Sequence, residues 1–129
     1  MKKILLLCIL IIFVTGCTTD NPEKATNHIL KDQENGVSVI VFTSKPLEDS
    51  YRESLQKDID YINNNLKKEK PILHVSFINV EQDGRYDYET IFELKTYPQI
   101  LLFENDDMIL KTNDPDELVQ HYENESVGK

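Results

Sequence analysis

Residues Val37–Thr43 form an almost unbroken apolar run, Val-Ser-Val-Ile-Val-Phe-Thr, in which β-branched side chains dominate. A run of this length and composition is typical of a β-strand. Because it lacks the alternation of a half-exposed strand, it predicts a strand that is buried on both faces. A chain with such a strand has to cover it with further strands and helices.

The residues after this run predict a helix and a second strand. One apolar stripe recurs at intervals of three or four residues and predicts a helix over about residues 48–67; its members are Tyr51, Leu55, Ile59, Ile62 and Leu66. Residues 72–80 then predict another strand, apolar and alternating at its centre. The crossover between the two strands is expected to be right-handed and the strands parallel.

The second half of the chain predicts a short helix over about residues 87–95, strands over 100–103 and 108–111, and a final helix. Asp114 suits the N-cap of that last helix, Pro115 its first position and Glu117 a capping box. The order β-α-β-α-β-β-α predicts an α/β domain over residues 36–124, with a mixed four-stranded sheet flanked by helices. Residues 125–129 are interpreted as a C-terminal tail.

The N-terminal residues are typical of a secretory signal. Met1-Lys2-Lys3 precedes an apolar stretch that ends at Val14 and is too short to span a bilayer as a helix. Val14-Thr15-Gly16-Cys17 resembles the bacterial lipobox. The resemblance implies a signal peptide over residues 1–16, lipid on Cys17, and anchorage to the extracytoplasmic face of the cytoplasmic membrane. The polar residues 17–35 are then expected to be a lipidated cysteine and a flexible tether, in which His28-Ile29-Leu30 could begin a short ordered piece.

Charge and cysteine content limit the function classes. The formal charge is −9, and loss of Lys2 and Lys3 with the signal would make it two units more negative. Such acidity argues against nucleic-acid binding and against electrostatic attraction to anionic lipid. The only cysteines are Cys8, within the predicted signal, and Cys17. The mature protein is therefore expected to have no disulfide and no free thiol.

The order of elements, with a proline directly before the third strand, resembles the thioredoxin fold. The most specific piece is Thr96-Tyr97-Pro98-Gln99, which leads into the apolar strand Ile100–Phe103. In that family the proline is cis, and the loop before it presents backbone groups to an extended peptide by strand addition. The resemblance implies a cis peptide bond at Pro98 and a binding groove that involves Ser44, Thr96, Tyr97 and Pro98.

The chain departs from the family where thioredoxins carry Cys-x-x-Cys, at the start of the helix after the first core strand. Here that region, residues 43–51, contains no cysteine, whether the motif is aligned on Ser44 and Leu47 or on Glu48 and Tyr51. Disulfide exchange requires a thiolate. We therefore expect no redox activity and no catalytic residue of this kind.

No other motif predicts a cofactor or a metal site. The three histidines, His28, His74 and His121, do not have the spacing of metal ligands. Three functions remain open: a binding or accessory module for an envelope protein, an acidic immunity-type lipoprotein that occludes a basic partner, and a thiol-independent enzyme on the same scaffold. The first is the main expectation.

Overall fold

The computed structural model describes residues 21–31, 33 and 36–128. Within them the elements, in chain order, are α1 (Pro22–Ile29), β1 (Val37–Thr43), α2 (Asp49–Tyr61), β2 (Ile72–Asn79), α3 (Tyr88–Ile91), β3 (Gln99–Glu104), β4 (Asp107–Thr112) and α4 (Asp116–Val127). A π-helical segment, Ile62–Leu66, extends α2. The predicted signal peptide and Cys17 lie outside the described residues. No helix among the described residues is long and apolar enough to cross a membrane.

The four strands form one mixed sheet in the order β2-β1-β3-β4. β1 pairs in parallel with β2 and antiparallel with β3, which in turn pairs antiparallel with β4. Every residue of β1 is buried. The prediction of a central strand buried on both faces, with a parallel neighbour and a final antiparallel pair, is therefore confirmed.

The two faces of the sheet bury different kinds of side chain. The face under α2 and α4 is mainly aliphatic; Val39, Leu55 and Leu118 belong to it. The face under α1 and α3 is rich in aromatic rings, among them Phe42 and Phe92, whose centroids lie 5.6 Å apart. Two short helices cover this second face because large rings fill the space between them and the sheet.

The prediction of a flexible tether is wrong for residues 22–30, which form α1 and its C-cap. Asn21 caps the helix, since its Oδ1 accepts the backbone N–H groups of Glu23 at 3.0 Å and Lys24 at 3.2 Å. Pro22 occupies the first helical turn. Ala25 and Ile29 are buried against the aromatic face. These few apolar residues are enough to pack α1 against the sheet, because their spacing places them on one side of the helix.

The other differences lie at helix ends. α3 is shorter than the predicted helix over 87–95, because Glu93 has a left-handed backbone conformation (φ 52°) that a helix cannot continue through. α4 begins at Asp116 and reaches Val127, beyond the predicted domain end. Asp114 still accepts the N–H of Asp116 at 3.0 Å, but Glu117 accepts the hydroxyl of Thr112 and closes no capping box.

Candidate functional site

A groove lies at the carboxyl end of β1. The loop that follows β1 leads into the first turn of α2, and antiparallel pairing of Phe42 with Gln99 brings the residues just before β3 alongside. The peptide bond between Tyr97 and Pro98 is cis, as the family resemblance implied. Loop residues 43–48 together with Tyr51, Tyr97 and Pro98 enclose a cavity of about 300 Å³.

The structure brings together three of the four predicted groove residues. Ser44, Tyr97 and Pro98 line this cavity. Thr96 does not; it is exposed and lines a separate cavity beside Lys111 and Glu117. Thr96 lies in the bend that precedes Pro98 and does not line this cavity, so its place in the groove stays a prediction.

Tyr51 contributes to the groove; the sequence placed it in a helix stripe and, in one alignment with the family, at a position of the missing Cys-x-x-Cys motif. Its hydroxyl oxygen is buried and has no hydrogen-bond partner among the described residues. Burial, assisted by the carboxylate of Asp114, raises the pKa of the Tyr51 phenol to about 12. At neutral pH the phenol is therefore a neutral hydrogen-bond donor, buried on a residue that lines the groove.

Tyr97 forms the opposite wall, and its hydroxyl is already engaged. That hydroxyl donates to Oε1 of Glu89 at 2.5 Å. Burial, together with this hydrogen bond to a carboxylate, raises the pKa of the Tyr97 phenol above its usual range. Tyr97 therefore presents its ring and backbone to the groove, while the Tyr51 hydroxyl has no acceptor among the described residues.

The groove has few groups suited to covalent chemistry. Ser44 makes no side-chain hydrogen bond to another described residue, whereas a hydroxyl nucleophile needs an adjacent base. No group of three or more metal-ligating side chains occurs among residues 21–31, 33 and 36–128. Pro46 and Leu47 give the groove an apolar lining, and Lys45 and Glu48 are exposed at its rim. The arrangement suits an extended apolar segment that accepts a hydrogen bond.

No protein-family model matches the chain, and no curated protein matches it in sequence.

Several solved structures match the fold. Thioredoxin f2 of Chlamydomonas reinhardtii superposes with a TM-score of 0.52 at 11% identity, over 80% of this chain and 91% of the thioredoxin. Thioredoxin O2 of Arabidopsis thaliana gives 0.52 at 15% identity, over 79% and 87%. Mitochondrial thioredoxin 3 of Saccharomyces cerevisiae gives 0.50 at 16% identity, over 78% and 88%. The described domain therefore has a thioredoxin-like α/β fold, with a four-stranded mixed sheet flanked by helices.

Proposed function

We propose that this chain is a lipid-anchored extracytoplasmic protein whose thioredoxin-like domain binds a segment of an envelope protein in the groove, without thiol chemistry. The observation that carries the proposal is the combination of an intact groove beside the cis bond at Pro98 with a chain that has no cysteine after Cys17. Thioredoxins exchange disulfides, and that reaction requires a thiolate. The groove is therefore proposed as a binding surface.

The polar groups of the groove support binding over catalysis. The pKa of the Tyr51 phenol, raised to about 12 by burial, lies far above neutral pH, so the phenol is protonated there and is a poor general base. Its buried hydroxyl lacks a partner among the described residues, and an unmet buried donor gains free energy when a ligand supplies an acceptor. A backbone carbonyl of an extended segment is the simplest such acceptor.

The anchor proposal rests on the lipobox resemblance of residues 14–17. Three residues separate Cys17 from Asn21, the N-cap of α1, and an extended chain spans at most about 3.5 Å per residue. Lipid on Cys17 would therefore keep the domain close to the bilayer. Because the connection is short, we propose that the partner lies within or beside the same membrane.

The anchor is tested by Cys17→Ser. We expect that the variant is not labelled by a clickable palmitate analogue in cells, because the serine hydroxyl does not replace the thiol that receives the lipid. The parent chain should be labelled under the same conditions. Equal labelling of parent and variant would show that the anchor assignment is wrong.

The groove is tested by site-specific photo-crosslinking in intact cells. A photoreactive amino acid at Lys45, on the rim of the groove, should give one discrete crosslinked product with a membrane or envelope protein. The matched control carries the same amino acid at Lys57, which is exposed on α2. Crosslinks of equal yield from both positions, or none from Lys45, would contradict a binding role for the groove.

A further inference from the structure

The outer edge of β2 is an edge strand that carries little of the usual protection. At its first residue the Asn63 side chain donates to the C=O of Ile72 at 2.9 Å and accepts its N–H at 2.7 Å. No other strand of the described residues pairs with that side of β2. Its eight residues, Ile72–Asn79, include no aspartate, glutamate, lysine or arginine. β4, at the opposite edge, carries Asp107 and Lys111 and has a register irregularity in its middle. Edge strands of stable proteins normally carry such charges or bulges, because an open edge pairs with other chains.

The register of β2 is regular over most of its length. Its irregularity lies at the start, opposite Val37 and Ser38, and from His74 to Asn79 the pairing with β1 is continuous. Leu73 is 69% exposed and Phe77 39% exposed. The edge therefore offers a regular segment of backbone together with solvent-exposed apolar side chains. This combination favours addition of another strand.

Positive charge surrounds the same strand, in a chain whose formal charge is −9. The chain has two arginines, and both lie here. The Arg52 guanidinium lies 4.6 Å from the centre of the Phe77 ring. Arg85 lines a cavity of about 600 Å³ beside residues 77–79, with its Nη1 3.4 Å from Nε2 of His28. Neither guanidinium takes part in an ion pair among the described residues.

The one carboxylate that lines this cavity, that of Asp83, already has partners. It accepts the hydroxyl of Tyr88 at 3.1 Å and the backbone N–H of Arg85 at 3.2 Å, and it lies 4.0 Å from Nε2 of His28. Asp83 keeps its negative charge, but it forms no ion pair with the Arg85 guanidinium among the described residues. The guanidinium groups remain able to pair with carboxylates from outside the chain.

We infer that the open edge of β2 binds an extended, acidic segment of another protein by strand addition, with Arg52 and Arg85 pairing with its carboxylates. A second copy of this chain fits the edge less well. β2 has no carboxylate of its own, so pairing two β2 strands would bring four guanidinium groups together without a counter-charge from either strand. This surface is distinct from the groove at Pro98, and it does not depend on a partner there.

The test uses the full chain in detergent micelles and two fluorescein-labelled eight-residue peptides, one alternating valine with glutamate and one alternating valine with lysine. Fluorescence anisotropy should show binding of the glutamate peptide and none of the lysine peptide. Arg52→Glu and Arg85→Glu should each weaken binding by about fivefold, because each reverses a contacting charge. Lys57→Glu, the same charge change at an exposed position elsewhere on α2, should leave binding unchanged.

Two further measurements identify the surface and the mode of binding. Hydrogen–deuterium exchange should show new protection in Ile72–Asn79 and none at residues 43–48. A glutamate peptide with alternate backbone nitrogens methylated should not bind, because it cannot form the ladder.

Binding of both peptides alike, protection at residues 43–48 alone, or unchanged affinity in both arginine variants would overturn the inference. A stable dimer in light scattering that Phe77→Lys abolishes would do so as well, since it would identify a second copy as the occupant. Thermal melts of each variant establish that it is folded, so a loss of binding is not a loss of structure.

Discussion

The two sides of the sheet differ in how their buried polar groups are paired. On the side of α1 and α3, the Tyr88 hydroxyl donates to Asp83 and the Tyr97 hydroxyl donates to Glu89. On the side of α2 and α4, the hydroxyls of Tyr51 and Tyr122 are buried without a partner among the described residues. Native proteins pair most such groups, so unpaired ones call for an explanation.

The difference indicates that the two sides have different tasks. The α1/α3 side pairs the hydroxyls of Tyr88 and Tyr97 and packs aromatic rings against each other, while Gln33 Oε1 is buried without a partner among the described residues. The α2/α4 side borders the groove and holds Tyr51 as a donor without an acceptor. We interpret the first as the stabilising side. On the second side Tyr51 lines the groove and is the group proposed for binding, whereas Tyr122 lies near Glu104, at the other end of the sheet.

Removing one hydroxyl from each side should change the free energy of unfolding by unequal amounts, and this is the largest difference in stability that we expect. Tyr88→Phe should lower the free energy of unfolding by about 1 kcal/mol, because Asp83 loses a hydrogen bond. Tyr122→Phe should leave it unchanged within about 0.5 kcal/mol or raise it, because no bond is lost. Urea melts of the two variants and the parent measure both. Equal losses of unfolding free energy in the two variants would contradict the difference in pairing between the two sides.

A carboxylate on the α2/α4 side sharpens the comparison through its pH dependence. Burial raises the pKa of Asp58, and the carboxylates of Asp116 and Asp114 raise it further. A raised pKa means that the folded state holds the proton more tightly than the unfolded state. The stabilising contribution of that proton is therefore complete below the ordinary aspartate pKa and is lost as the pH rises through the raised value.

Asp58→Asn should accordingly raise the free energy of unfolding at pH 7 by about 0.5 kcal/mol, since it removes a charge close to like charges. Near pH 3 the gain should disappear, because Asp58 of the parent is then protonated. Urea melts at both pH values test this, with Glu53→Gln, at an exposed position of α2, as the control. A gain that is the same at pH 3 and pH 7, or one that the control reproduces, would contradict the proposed cause.

The parts of the fold that the sequence predicted are those with strong periodicity. β1, β2 and α2 were predicted because many apolar residues repeat at the spacing of a strand or helix, and burial decides their structure. α1 was missed because its segment is polar overall. Its available signals were the Asn21-Pro22 start and the spacing of Ala25 and Ile29, which are weak without the sheet that buries them.

The groove was predictable only where a family resemblance named its residues. Ser44, Tyr97 and Pro98 come from distant parts of the chain and meet because β1 pairs with β3. Tyr51 was visible as one member of a helix stripe, but its place in the first turn of α2 decides that it faces the groove. Whether its hydroxyl has a partner depends on tertiary packing, which spacing does not encode.

The most direct test of the account is the effect of Tyr51→Phe on crosslinking from Lys45 in intact cells. If the unpaired hydroxyl serves binding, the variant should be at least as stable as the parent. Its crosslinking yield should fall by about fivefold, the equivalent of one hydrogen bond of about 1 kcal/mol. Tyr61→Phe, at a position 44% exposed on the same helix, should give the parental yield. A stable Tyr51→Phe variant that crosslinks as well as the parent would contradict the account.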